Sequence, residues 1–297
     1  MRSKFLSTLI LAVTFNIAAA NISAAQSPGS QHPPRHDNRP HQTALVVESG
    51  TRDILFEKDP DQQVYPASLT KLMTLYLTFE AVEKSQLKLN QCLSVSDLAA
   101  SQPHTSLNLK TGQTITVEEA ISALTVQSAN DVAVVLAEAI GGTQEHFVEM
   151  MNAKAKELGM SRTHFVNPNG LPDPLQVTTA RDIVTLAEAH FCNFPQYSKY
   201  FEKQSFVFNG HIYKNHSRLP GRVPEIDFAK TGFIDASGFN MAASAHRGDE
   251  RLFVVVFGGP SASARDKKIM TLLNSGFVKV TPATPPKTSR PHRHKSL

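Results

Sequence analysis

Pro66-Ala67-Ser68-Leu69-Thr70-Lys71-Leu72-Met73-Thr74-Leu75-Tyr76-Leu77 is the stretch from which the rest of the chain is best read. Leu69, Leu72, Met73, Tyr76 and Leu77 recur at helical spacing, which predicts a helix entered through Pro66-Ala67. Ser68 falls at its start and Lys71 one turn along the same face. A helix N-terminus places positive partial charge beside the hydroxyl. An unaided serine hydroxyl is a poor nucleophile, and an amine one turn away is a base at hand.

On either side of that stretch the patterning changes. Ala44 to Glu48 is apolar, Ser49-Gly50 turns, and Ile54-Leu55-Phe56 continues, which reads as a hairpin. Val117 to Val126 and Asp131 to Ile140 read as helices, the second closed by Gly141-Gly142. Phe147 to Leu158 is a further helix ended by Gly159, and Thr179 to Phe191 another with Thr179 as its cap. Phe239 to Ala245 and Arg251 to Phe257 flank the polar turn His246 to Glu250 as a second hairpin, and residues 266–278 close as a helix. Strands at both ends with helices between them predict a mixed α/β (α+β) fold. Its antiparallel β-sheet, shared by the terminal strands, is flanked by helices, with a helical subdomain.

The 297 residues, 41% hydrophobic and 19% charged, suit a globular protein with a sizeable core. The ends read differently. Residues 1–25 have a basic start (Arg2, Lys4), an apolar run from Phe5 to Ala20, and small residues at Ser23-Ala24-Ala25, the pattern of a signal peptide. Residues 26–42 read as a disordered linker and 281–297 as a basic, Pro-rich tail, leaving 43–280 as one domain. The net charge of +4 is concentrated in these ends, so the body is left slightly acidic and nucleic acid is not an expected partner. Cys92 and Cys192 lie in no metal-ligand or Cys-x-x-Cys pattern, and nothing in the sequence says whether they pair. Of the 12 histidines, His32, His36, His41, His292 and His294 lie in the terminal segments, and no His-Glu-x-x-His occurs. Neither a catalytic metal nor a cofactor is expected.

Two further motifs follow the first: Ser128-Ala129-Asn130 and Lys230-Thr231-Gly232. The serine and asparagine can complete a proton relay and hold a substrate amide, and a Lys-Thr-Gly strand can bind a carboxylate. A second set competes with them: Ser85-Gln86-Leu87-Lys88, Ser106-Leu107-Asn108 and Lys110-Thr111-Gly112. Ser85 sits in a polar run at the end of the expected helix, and Ser106 to Lys110 is too compact for three elements to converge. The latter reads instead as a short strand and its turn.

With their flanks, Gln127 to Asp131, Lys230 to Phe233 and Gly238-Phe239-Asn240, these motifs resemble the low-molecular-mass penicillin-binding proteins, more closely the D-alanyl-D-alanine carboxypeptidase family. Met160, Phe165, Asn167-Pro168 and Gly170-Leu171 are similar to that family's segment between the second and third motifs, so the likeness runs from residue 43 to about 280. It implies a fold of the DD-peptidase/β-lactamase type. It also implies that Ser68 forms an acyl-enzyme with peptidoglycan stem peptides and β-lactams, with Lys71 as base and Ser128 as proton carrier. Asn130 would hold the substrate amide. Lys230 and Thr231 would bind the terminal carboxylate, and the backbone N–H groups of Ser68 and Phe233, beside Gly232, would form the oxyanion hole. Arg265 is implied for the same carboxylate; read by itself it is equally a surface arginine beside Asp266.

Class A β-lactamases share this toolkit but add a glutamate that activates the deacylating water. Phe165 to Gly170 offers no acid before Asp173, so slow release of a penicilloyl adduct is expected. Many carboxypeptidases of the family carry a second, β-rich domain and an amphipathic membrane-binding helix. Thr281 to Leu297 has no apolar stripe, so no firm membrane anchor is expected and a periplasmic enzyme is the reading. Two rivals remain: a D,D-endopeptidase that cuts cross-links with the same chemistry, and a non-catalytic peptidoglycan-binding protein.

Overall fold

A computed structural model describes residues 40–280. The expected signal peptide, nearly all of the linker, and the basic tail lie outside the described residues. The chain opens with the hairpin β1 (Ala44–Glu48) and β2 (Ile54–Lys58), then passes through a 3-10 turn at Ala67–Thr70 into α1 (Lys71–Glu83). The helical region continues with β3 (Cys92–Ser94), α2 (Asp97–Ala100), β4 (Thr114–Thr116), α3 (Val117–Val126), α4 (Asn130–Gly141), α5 (Gln144–Glu157) and α6 (Ala180–Asn193). A small hairpin, β5 (Ser205–Phe208) and β6 (His211–Lys214), leads to β7 (Ile226–Ile234), β8 (Gly238–Arg247), β9 (Glu250–Gly259) and the closing helix α7 (Ala262–Val280).

The main sheet has the order β2-β1-β9-β8-β7, with every neighbouring pair antiparallel. The first strand therefore pairs with the last, Val46 opposite Val254. Helices cover both faces. Val46, Leu252, Val254 and Met241 pack with Ile269, Leu272 and Phe277 of α7. Leu45, Phe253, Val255 and Phe257 face the other way into the larger core with α6 and α1. That double burial is why residues 252–257 read as an unbroken apolar run rather than an alternating one. Each fully buried phenylalanine among them contributes about 2–3 kcal/mol of transfer free energy.

The local signals hold where short-range geometry decides them. Thr116 and Glu119 form a capping box on α3, Thr179 accepts from the Asp182 N–H to cap α6, and Gly142 closes α4 at φ +78°. Two expectations need correction. The helix after Ser68 is not striped: Lys71 to Phe79 is buried on every side, because α1 runs through the middle of the helical region, and the 3-10 turn rather than the α-helix itself carries Ser68. Ser106 to Lys110 forms no strand. It is an irregular segment tied to α4, whose Asp131 carboxylate accepts from the Leu107 and Leu109 N–H groups at 3.0 and 3.1 Å. The turn after it does form, with Gly112 at φ +77°.

Candidate active site

Three elements of the fold meet at Ser68. The first is its own turn, in which Ala67 takes φ +48°. The second is the turn between α3 and α4, where Ser128 takes φ +60°. Positive φ at a residue other than glycine costs energy, and here it aims the neighbouring hydroxyls at one point. The third is β7, the edge strand of the sheet, which carries Lys230, Thr231, Gly232 and Phe233. Gly232 permits the close approach: a Cβ there would stand 3.1 Å from the Pro66 carbonyl and 3.2 Å from the Ser68 nitrogen. The Ser68 backbone thus lies directly against the strand that leads to Phe233.

Lys71 is fully buried. Its Nζ contacts the Asn130 Oδ1 at 2.8 Å, the Ser68 Oγ at 3.2 Å, and the Asn169 carbonyl. Asn130 is oriented by its amide nitrogen, which donates to the Pro103 carbonyl at 2.9 Å, so its oxygen is the atom turned to Lys71. Two of the three partners are carbonyl oxygens and can only accept. A neutral amine has two N–H groups, which those carbonyls take, and its lone pair is then left facing the Ser68 hydroxyl. Burial, and then the charge of Lys230, push Lys71 well below the ordinary lysine value, toward that neutral form.

Lys230 is also buried, and its Nζ donates to Ser128 Oγ at 2.8 Å and to the Thr231 carbonyl at 2.9 Å. Burial first, and Arg265 second, bring it down to about 7. Arg265 sits in the first turn of α7 and is no surface residue: it is buried, lines the cleft, and is held by Asp266 through Nε and Nη2 at 2.9 and 2.7 Å. The reading of a surface arginine is therefore corrected, although the pairing with Asp266 does form. The cleft holds about 810 Å3 and is also lined by Ser68, Ser128, Asn130, Thr231, Gly232 and Phe233. All nine predicted site residues thus converge, Lys71 and Lys230 from beneath and the rest on the wall.

Sequence reasoning missed the segment Asn167 to Gly170 as a structural part of the site. Its Pro168 carbonyl accepts from Thr74 at 2.7 Å and its Asn169 carbonyl accepts from Lys71. Gly170, at φ +84°, lies so close that a Cβ would come within 2.0 Å of the Ala67 carbonyl. The signal was the turn-forming Asn-Pro-Asn-Gly, read for its family likeness and its lack of an acid but not as a partner of Lys71. Thr105 was missed as well: its carbonyl accepts from the Asn130 N–H and its hydroxyl donates to the Ser128 carbonyl at 2.9 Å. Cys92 and Cys192 are both exposed and unpaired. Among the described residues, no cluster of three or more His, Cys, Asp or Glu is placed to hold a metal, and no helix is long and apolar enough to cross a membrane.

A serine packed against an edge strand, with a desolvated lysine at its hydroxyl, suits a serine acyl-transfer enzyme. The chain belongs to the D-alanyl-D-alanine carboxypeptidase family, whose pattern matches residues 29–261. It is 30% identical over 279 residues to D-alanyl-D-alanine carboxypeptidase DacF of Bacillus subtilis, covering 92% of this chain and 71% of that protein. To DacC of Escherichia coli it is 33% identical, covering 82% of this chain and 64% of the relative. A D-alanyl-D-alanine endopeptidase of Pseudomonas aeruginosa is 28% identical, with 95% of this chain and 92% of the relative covered. Among solved structures, the carboxypeptidase DacD of Francisella tularensis matches with a TM-score of 0.77 at 28% identity, over 86% of this chain and 73% of that one. Penicillin-binding protein D2 of Listeria monocytogenes, in its cefotaxime-bound form, matches with a TM-score of 0.73 at 30% identity, over 83% of this chain and all of that one. The protein is accordingly a serine-type D-Ala-D-Ala carboxypeptidase, a hydrolase of peptidoglycan.

Proposed function

We propose that Ser68 attacks the carbonyl of the penultimate D-alanine of a stem pentapeptide and that Lys71 takes its proton. The observation that carries this reading is the set of contacts at Lys71: two carbonyl oxygens that can only accept, and the Ser68 hydroxyl, to which a neutral amine would turn its lone pair. As the Ser68 Oγ–C bond forms, the C–N bond to the terminal D-alanine breaks. Ser128, whose oxygen accepts from Lys230, delivers a proton to the leaving nitrogen. The Ser68 and Phe233 N–H groups hold the oxyanion. Thr231, Lys230 and Arg265 hold the terminal carboxylate, and Asn130 the substrate amide. Water then cleaves the ester and restores Ser68.

A β-lactam enters the same path, and its adduct leaves slowly, because residues 165–170 supply backbone carbonyls to Lys71 and Thr74 and no carboxylate to activate water. Residues 1–25 serve as an export signal, 26–42 as a linker and 281–297 as a basic tail, with catalysis by 43–280 in the periplasm. Cross-link cleavage is the second reading, favoured by the likeness to the Pseudomonas aeruginosa endopeptidase along nearly its whole length. The convergence of intact catalytic side chains counts against a purely binding role. The test is mass spectrometry of peptidoglycan fragments after digestion, with free pentapeptides and cross-linked dimers both present. Loss of one D-alanine from pentapeptides supports the first reading, dimer-to-monomer conversion supports the second, and an unchanged digest defeats both.

A further inference from the structure

A side groove of about 390 Å3 opens off the catalytic cleft and shares Lys214, Asn215 and Arg218 with its wall. Arg222 lines its far part. Lys214, Arg218 and Arg222 are all exposed, and among the described residues none of them meets a carboxylate. Five other arginines are paired with a carboxylate: Arg52 with Glu188, Arg181 with Asp61, Arg247 with Glu225, Arg251 with Asp227 and Arg265 with Asp266. The groove is therefore a focus of uncompensated positive charge.

Its walls are built. Asn215 bridges to the preceding hairpin, its N–H donating to the Gln204 carbonyl and its amide to the Lys203 carbonyl, both at 2.8 Å. The Arg222 and Val223 N–H groups close a turn on the carbonyl of buried Leu219. Arg218 and Arg222 are thus displayed from one anchored turn.

The groove leaves the cleft at the leaving-group end. His216, between Lys214 and Arg218, donates its N–H to the Val126 carbonyl, just before the turn that carries Ser128. It also lies in the field of Lys230, Lys71 and Arg265. Free D-alanine ends at its own carboxylate, held by Lys230, Thr231 and Arg265, and has nothing to send further. A leaving group that continues into the groove must be a peptide, and the groove's charge selects one bearing carboxylates.

We propose that Lys214, Arg218 and Arg222 form a subsite for the free carboxylates of a second stem peptide, so that the enzyme cleaves D-alanyl cross-links as well as releasing D-alanine. This rests on the Ser68 reading above and extends it to the leaving-group side. The chemistry is unchanged: the acyl–nitrogen bond of the cross-link breaks, and the proton passes to the amine of the departing peptide.

The test compares kcat/KM for a soluble disaccharide pentapeptide and for its D-alanyl-linked dimer, in the full-length protein and in R218Q/R222Q and R218E/R222E variants. The dimer-to-pentapeptide ratio is expected to fall about tenfold in the first variant and further in the second, the scale of losing one or two favourable charge contacts. A dimer whose departing stem has amidated carboxylates should be cut by the native protein as slowly as the ordinary dimer is cut by R218Q/R222Q. An unchanged ratio, equal losses on both substrates, or pentapeptide cleavage with the dimer left intact would each overturn the subsite. Failure of the native protein to label Ser68 with penicillin would instead overturn the catalytic reading, and the subsite with it.

Discussion

Lys230 Nζ and Ser128 Oγ stand 2.8 Å apart, a bond that joins the edge strand β7 to the turn between α3 and α4. Both residues are buried, and their positions lie 102 apart in the chain. Through it the proposed proton carrier, the proposed carboxylate site and the field on Lys71 depend on one side chain. A change at Lys230 should therefore be felt at Lys71, which it does not touch.

Replacing Lys230 with glutamine removes the second-largest cause of the low Lys71 value. Lys71 should then hold its proton to higher pH, and the acidic limb of the pH–rate profile for Ser68 acylation should move upward. Stopped-flow acylation by a chromogenic cephalosporin gives the profile. A limb that stays in place or moves to lower pH would show that Lys230 does not set the ionisation of the base.

Lys71→Ala should slow penicillin labelling of Ser68 by about 10³-fold, within the range for loss of a positioned general base. Lys71→Arg should do no better, because a guanidinium does not give up its proton at working pH. The rate of fluorescent-penicillin labelling measures both, and near-normal labelling of either variant would rule out Lys71 as the base.

Folding stability should rise with pH between about 7 and 10.5, where unfolded lysine is protonated but buried Lys230 is not. The unfolded chain then binds more protons than the folded one, which favours folding as pH rises, by about 1.4 kcal/mol per pH unit for one such group. Lys71 adds in the same direction. Above that window Tyr197, pushed up to about 12, reverses the sign, since the unfolded tyrosine loses its proton first. Thermal melts across pH 6–11 should show a rising limb that is shallower in Lys230→Met. A limb equally steep in that variant would assign it to other groups.

Gly170→Ala should cost activity and stability together. The new Cβ would lie 2.0 Å from the Ala67 carbonyl, at a φ of +84° that side chains rarely adopt. Either the 167–170 turn moves and Lys71 loses its Asn169 carbonyl, or the turn carrying Ser68 moves. Penicillin labelling should fall at least about 100-fold and the melting temperature by several degrees, as expected for about 2 kcal/mol of strain. A variant that melts and labels like the native protein would show that this contact does not position the site.

Much of the architecture was legible in the order of residues, because the physics there is local. Helical spacing, the Thr179 cap, and the glycines at 141, 142 and 159 act within a few residues and mark where helices begin and end. The three motifs could be chosen over their imitations because only they were spread widely enough to come from separate elements. Tertiary structure alone decided the rest. It buried α1 on all sides, which pushes the Lys71 amine well below the ordinary lysine value rather than leaving it merely nearby. It brought the Asn169 carbonyl to Lys71 across 98 positions and buried Arg265 against the cleft. It also laid the false motif at Ser106 to Lys110 beside the true one, tied there by Asp131. Such contacts leave no periodic trace in a sequence. Desolvation and charge depend on what the folded chain packs around a group, and that is settled only when distant segments meet.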